Sequence, residues 1–180
     1  LRYDRYRLEG QTGMTLYKRD RFYNSLVGAK RVAEVFDIDN EEGHFSPTFG
    51  IGVKPGLEWM QLYARWGKGW RPPAVTETFM TGRPHGGSSS ERVFPNPYLK
   101  AEESRDWEMG VNVFKEGLFF NDDRLGMKVA YFDTKIDNFS FLNHSVSLPD
   151  TSVGGFLGTM AYVNNTGPTR FRGMEYQLNY

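Results

Sequence analysis

Apolar and polar residues alternate with a period of two in six stretches of this chain. Phe49, Ile51 and Val53 oppose Thr48, Gly50, Gly52 and Lys54. Met60, Leu62, Ala64 and Trp66 oppose Gln61, Tyr63, Arg65 and Gly67. Trp107, Met109, Val111 and Val113 oppose Glu108, Gly110, Asn112 and Phe114. Leu125, Met127, Val129 and Tyr131 oppose Gly126, Lys128, Ala130 and Phe132. Met174, Tyr176, Leu178 and Tyr180 oppose Gly173, Glu175, Gln177 and Asn179. A weaker alternation opens the chain, with Leu1 and Tyr3 against Arg2 and Asp4. Helices would instead place apolar residues three and four apart. The pattern predicts strands over residues 1–8, 46–54, 59–70, 105–115, 124–134 and 171–180.

Alternation alone fits two architectures. A soluble sandwich turns its apolar face to a core, whereas a membrane barrel turns it to lipid and its polar face to a wide lumen. Connection lengths favour the second. The links at 55–58 and 117–123 are short, and those at 9–45, 71–104 and 138–168 are long. Strict alternation of short and long is the asymmetry of an outer-membrane barrel, with short periplasmic turns and long extracellular loops. The expected fold is all-β: an antiparallel transmembrane β-barrel fragment of about six strands, running alternately outward and inward. Aromatics near strand ends suit the two interfacial girdles: Tyr3, Tyr6, Trp59, Trp66, Trp70, Trp107, Phe119, Phe120, Tyr131 and Phe132. Closure needs at least about eight strands. The whole of residues 1–180 is therefore expected to be part of one barrel domain whose other strands lie outside it. A start without Met, inside a strand, agrees with that expectation.

Composition changes this picture little. Lys and Arg total 22 against 22 Asp and Glu, so net charge gives no argument for a nucleic-acid partner. With no cysteine, a disulfide framework or thiolate metal site is excluded. Mean hydropathy is −0.57, which in other folds would read as soluble. Barrel strands hide their lipid face in alternation, so the value does not bear on this one.

The long stretch from Gly69 to Ser104 lacks hydrophobic periodicity and holds Pro72, Pro73, Pro84, Pro95 and Pro97. These prolines restrict its ends, while Gly86, Gly87 and Ser88–Ser90 leave its tip free to move. His85 stands directly before that tip. "GKGWRPPAVTETF" followed by "NPYLKAEESRDWEMGV" resembles a loop of TonB-dependent outer-membrane receptors, and most closely of their haem and haemophore receptors. Those receptors carry a Phe-Arg-Ala-Pro type of box where one strand closes and an Asn-Pro-Asn-Leu type before the next. Here the boxes read Trp70-Arg71-Pro72-Pro73 and Asn96-Pro97-Tyr98-Leu99. The resemblance implies a haem-ligating histidine between the boxes, where His85 stands. A neutral imidazole is a usual axial ligand of haem iron. Stretches such as "FSPTFGIGVKP" and "DRLGMKVAYFDTKIDNF" also resemble strands of these receptors, and the likeness covers nearly all of the chain except about residues 10–44.

The resemblance implies active uptake of haem as a transported ligand, not a catalytic cofactor. It also implies an extracellular haem-carrier protein (a haemophore), the lipid bilayer of a bacterial outer membrane, and coupling to a TonB complex through a plug domain outside this chain. The alternative within transport is a siderophore or other metal-chelate receptor. An adhesin and an outer-membrane phospholipase are the readings from other classes; the latter would place a Ser/His pair on strands, and no predicted strand holds a His. No "GxSxG" is present either, so no enzyme is expected. His44 and His144 lie in the other long connections and are expected at the surface or against a protein partner. Carrier binding is expected to use the 9–45 and 138–168 connections, with Tyr17, Phe22, Tyr23, Phe36 and Phe156 as anchors. "DIDNEEG" lacks the spacing of a calcium loop, because its twelfth position is Thr48.

Overall fold

The computed structural model describes residues 1–18, 30–82, 92–144 and 159–180. Ten strands and one short helix follow in the order β1 (Arg2–Lys18), β2 (Lys30–Ser46), β3 (Thr48–Val53), β4 (Met60–Arg71), α1 (Val75–Phe79), β5 (Arg92–Phe94), β6 (Glu102–Glu116), β7 (Arg124–Asp137), β8 (Ser140–His144), β9 (Thr159–Asn164) and β10 (Thr169–Asn179).

Five of these strands form an antiparallel sheet in the order β10-β7-β6-β4-β3. Its register carries the alternation across the sheet. Val53, Leu62, Val111 and Val129 are successive cross-strand partners, as are Ile51, Ala64, Met109 and Tyr131. Met60, Val113, Met127 and Leu178 form the next row. One face is thus apolar throughout, and it stays uncovered: Ile51, Tyr176 and Leu178 are 68%, 72% and 68% exposed. An uncovered band of this kind is the face that meets lipid in a membrane barrel. Phe49 stacks on Trp66, and Trp66 packs against Trp107, at its outer edge. Trp59, with Lys115 over its ring, marks the inner edge. The membrane-spanning parts therefore run between these aromatic rows.

The opposite face is polar, as the pattern predicts. Glu108 accepts an ion pair from Arg65 at 2.9 Å and another from Lys128 at 3.3 Å. The Tyr63 hydroxyl donates to the same carboxylate at 2.7 Å. Glu175 and Gln177 continue this face on β10 through their partners Ala130 and Lys128. Gly110 is required here, because a Cβ at that position would sit 2.5 Å from the Val129 carbonyl oxygen and 2.9 Å from the Tyr63 ring.

The two short links are tight hairpins joining β3 to β4 and β6 to β7, as expected. The long connections differ from expectation, because all three contain regular structure. β1 and β2 pair from Arg2↔Ser46 to Lys18↔Lys30, so most of the predicted 9–45 loop is a hairpin. Residues 1–8 were expected as a strand of the wall; they run outward, but beyond the outer aromatic row. Pro47 separates β2 from β3, and its carbonyl accepts the Lys68 N–H at 2.9 Å, so the strand path continues through the break. The 71–104 connection forms α1 and β5, and the 138–168 connection forms the hairpin of β8 and β9. β5 pairs parallel with β9, joining the two connections in one three-stranded sheet.

The buried apolar residues are Leu8, Ile38, Val93, Phe94, Leu99, Ala101, Met160 and Ala161, with Ala130 alone in the wall among the described residues. The water-excluded core of this chain thus lies above the wall.

Candidate functional site

The two boxes stand at the feet of the long connection between β4 and β6. Trp70 and Arg71 end β4, and Leu99 precedes β6 by three residues. Residues of both boxes have partners in the surrounding strands. Trp70 is stacked by the His44 imidazole, with ring centroids 5.6 Å apart and planes 4° from parallel. Tyr6 meets Trp70 edge-on and donates its hydroxyl to the Pro73 carbonyl at 2.8 Å. Burial, with the nearby Glu42 and Glu77 carboxylates, raises the Tyr6 phenol's pKa, so it remains a donor. In the second box, Asn96 receives the Tyr98 N–H on its side-chain oxygen at 3.0 Å, forming an Asx turn. Its amide donates to the Tyr162 carbonyl on β9 at 2.8 Å, and its own N–H donates to the Thr78 carbonyl of α1 at 3.1 Å. The Pro97 carbonyl accepts from Asn40 of β2 at 3.4 Å. Leu99 is buried, while Tyr98 is 79% exposed.

Arg71 is the electrostatic centre of this assembly. Its guanidinium donates to Glu102 through Nε at 2.9 Å and to Glu77 of α1 through Nη1 at 3.0 Å. Glu77 also accepts the Ala74 N–H at 2.8 Å, which starts α1. Glu102 receives the Ser140 N–H at 2.8 Å, so one carboxylate ties the first box to the β8–β9 hairpin. The Arg71 hydrogen bond, aided by that N–H, holds the Glu102 carboxyl below the usual range despite partial burial. Glu102 in turn raises the Arg71 pKa. Both residues lie beyond the outer aromatic row. Asn164 completes the tie: its side chain bridges Lys100 N and O at 2.8 and 3.0 Å and reaches the Asn138 carbonyl at 2.7 Å. Asn138 sits in the left-handed region at φ 58°, a conformation that Asn tolerates, and donates to the Ala101 carbonyl at 3.2 Å.

His85, the expected iron ligand, lies outside the described residues. The base of its loop is described. Gly82 and Val93 exchange N–H···O bonds of 3.2 and 2.7 Å, closing the loop from both sides, and Gly82 adopts φ 120°. The boxes flank that base along the chain, Trp70–Pro73 before it and Asn96–Leu99 after it.

Two sequence expectations change. His44, expected in a loop at the surface or against a protein partner, lies within β2 and is half-buried, and its Nε2 is buried with no hydrogen-bond partner among the described residues. Phe36, expected as an exposed anchor, lies half-buried on the same hairpin face as the buried Ile38. Phe22, Tyr23 and Phe156 lie outside the described residues, and His144 is exposed at the end of β8. Glu77, Glu102, Ser140 and Asn164 were not legible as site residues.

Comparison with known proteins places this geometry. The family described as TonB dependent receptor-like, beta-barrel matches residues 1–180. A solved structure of a double mutant of the Serratia marcescens hemophore receptor HasR, in complex with its hemophore HasA and heme, is 45% identical. It aligns with a TM-score of 0.81 over 99% of this chain and 28% of that one. Heme/hemopexin utilization protein C of Haemophilus influenzae is 25% identical over 79% of this chain and 20% of its own length. The hemin receptor of Yersinia pestis is 26% identical over 70% of this chain and 20% of its own length. The chain thus spans about a fifth of the length of these two curated relatives. A siderophore receptor, PirA of Pseudomonas aeruginosa, shares the fold at 17% identity and a TM-score of 0.57.

Proposed function

Because the chain belongs to the family of TonB-dependent receptor-like β-barrels, we propose that it is part of an outer-membrane receptor for active uptake of haem taken from an extracellular carrier protein. The plug domain, the remaining strands and the contact with the TonB complex then lie beyond residues 1–180. The observation that carries this reading is the pair of boxes fixed around the base of the His85 loop. Trp70–Pro73 and Asn96–Leu99 are locked by Tyr6, His44, Asn40, Glu102 and Tyr162. The high identity to a hemophore receptor across nearly the whole chain supports the same ligand class.

The physical division of labour is simple. A rigid base limits the space that His85 can sample, which lowers the ordering cost of ligation. A neutral imidazole supplies one axial bond to the iron, and apolar contact with the porphyrin supplies much of the affinity. The role this reading gives the chain is binding and transfer. The hairpin of β1 and β2 and the β8–β9 hairpin stand on either side of the base as the surfaces for the carrier.

His85→Ala in the complete receptor tests the reading. The Soret and visible bands of bound haem are expected to change, and growth on haem is expected to fall. Affinity falls less, because the porphyrin contacts remain. An unchanged spectrum with normal growth on haem overturns His85 as a ligand. Siderophore complexes arrive with their iron already saturated by oxygen donors, so that result would favour a metal-chelate receptor.

A further inference from the structure

The register of the wall places four cations in one row. Lys68 stands opposite Arg105, Arg105 opposite Lys135, and Lys135 opposite Arg170. The row crosses β4, β6, β7 and β10 without interruption. Its residues share the alternation of Trp66, Trp107, Tyr131 and Met174, so they project from the outward face of the wall. Lys68 follows Trp66 by two positions, and Arg105 precedes Trp107 by two. The row thus lies one side-chain repeat beyond the outer aromatic row, about 7 Å along the strand. Arg172 adds a fifth cation beside it, opposite Asp133.

Like charges directly opposite each other destabilise a sheet. On the lumen side the wall sets Arg65 opposite Glu108. On the outward face, three consecutive oppositions are cation against cation, and the acids nearby do not balance them. Arg105 and Lys135 share Asp137, at 3.1 and 4.0 Å, and Arg170 pairs with Asp133. Glu103, the third acid on this face, stands opposite Asp137 and not opposite a cation. Lys68 and Arg172 are exposed and have no ion pair among the described residues. The side chains of Arg105, Lys135 and Arg170 remain 49%, 45% and 59% exposed. The row therefore presents unspent positive charge to whatever lies beside the wall at this height.

Position and charge select the occupant. Beyond the aromatic row the outward face meets the headgroups of the outer leaflet, which in a bacterial outer membrane is built from a glycolipid with phosphates on its sugar core. Three interstrand gaps make the row about 14 Å long, so it can address more than one phosphate at once. Arginine meets a phosphate with two parallel donors, and lysine as a point charge. We propose that Lys68, Arg105, Lys135, Arg170 and Arg172 form a binding site for a phosphorylated glycolipid of the outer leaflet. The site is independent of which ligand the receptor carries.

The test uses the complete receptor, delipidated in a nonionic detergent. It is titrated with diphosphorylated lipid A, with the same lipid stripped of its phosphates, and with phosphatidylglycerol, and bound lipid is counted by native mass spectrometry. Diphosphorylated lipid A is expected to bind far more tightly than the other two. Lys68→Gln should weaken it about fivefold, the effect of one surface cation on an anionic headgroup. Lys68→Gln, Arg105→Gln, Lys135→Gln and Arg170→Gln combined should weaken it by more than about a hundredfold. Lys54→Gln with Lys115→Gln, at the inner edge, should leave it unchanged. Equal binding of the stripped lipid or of phosphatidylglycerol overturns the site, and so does displacement of lipid A by inorganic phosphate. Unchanged lipid A binding in the combined variant overturns it as well; if carrier binding falls there instead, the row is a protein contact. Urea unfolding in the same micelles reports whether the combined variant has folded, and Lys68→Gln, which breaks no ion pair among the described residues, decides the matter if it has not.

Discussion

The wall and the extracellular assembly of this chain solve opposite problems with the same kind of strand. In the wall, each strand turns its apolar residues outward and leaves them uncovered, as at Ile51, Met109 and Tyr176. In the assembly, β1 and β2 turn Leu8 and Ile38 inward, onto the connection that carries the boxes. Their outer face is charged and self-paired, with Arg5 against Glu41 and Arg7 against Asp39. A wall in lipid needs no apolar core, because the bilayer is its apolar solvent; the assembly stands in water and must make one. The lesson concerns the site. Haem ligation is proposed for a loop whose base is a small water-soluble core, so its rigidity is independent of the bilayer.

Leu99→Ala should produce the largest local effect. The side chain is buried in the assembly, and such truncations cost about 2–5 kcal/mol including the cavity left behind. Hydrogen exchange in the complete receptor should accelerate over residues 92–101 and leave the wall strands protected. Acceleration across β6 and β7 would show that the two regions are one cooperative unit. Met127→Arg is the converse. It places a charge on the lipid face and should cost about 2–4 kcal/mol near the midplane. Urea unfolding of the receptor in lipid should shift, with the assembly's exchange unchanged. No shift would remove Met127 from the lipid face.

Arg71→Ala tests the seam between the regions. It leaves Glu77 and Glu102, whose side chains are only 12% and 11% exposed, without their cation. A loss of about 1–3 kcal/mol of local stability is expected from charged hydrogen bonds of this kind. It should appear as faster exchange over residues 75–79 and 138–144. The smallest effect is pH dependence. The Arg71 hydrogen bond lowers the Glu102 pKa. Its stabilising contribution is therefore complete above the unfolded carboxyl value of about 4.3, and is lost as pH falls through the lower folded value. Local opening of the 138–144 segment, read as hydrogen exchange corrected for the intrinsic rate at each pH, should stay flat from neutral to mildly acidic pH, rise only below about pH 4, and become flat in Glu102→Gln. A rise near pH 6 would assign the seam to another group.

Much of the wall was legible along the chain, for a physical reason. Its strands face two solvents, so each side chain is chosen one position at a time, and the period-2 pattern of "WMQLYARW" or "RLGMKVAYF" survives intact. The short turns were equally plain, as was the position of the connection holding Trp70–Pro73 and Asn96–Leu99. The assembly was not legible. The strand over residues 30–46 mixes Phe36, Ile38 and His44 with a run of acids whose alternation is masked by their own ion pairs. β5 has three residues, and its partner β9 lies 65 or more positions further on, parallel to it. Such short, distant pairings leave no local period. The roles of Glu102 and Asn164 follow from the same cause: each acquires meaning only where the feet of two long connections meet. Sequence by itself determined which face of each wall strand meets lipid and where the box-bearing connection lies, because a two-solvent strand needs only its neighbours' spacing. Only the tertiary structure decided that three expected loops share one buried core, and that Arg71 and Asn164 tie its parts together, because burial in water depends on residues remote in the chain arriving at one place.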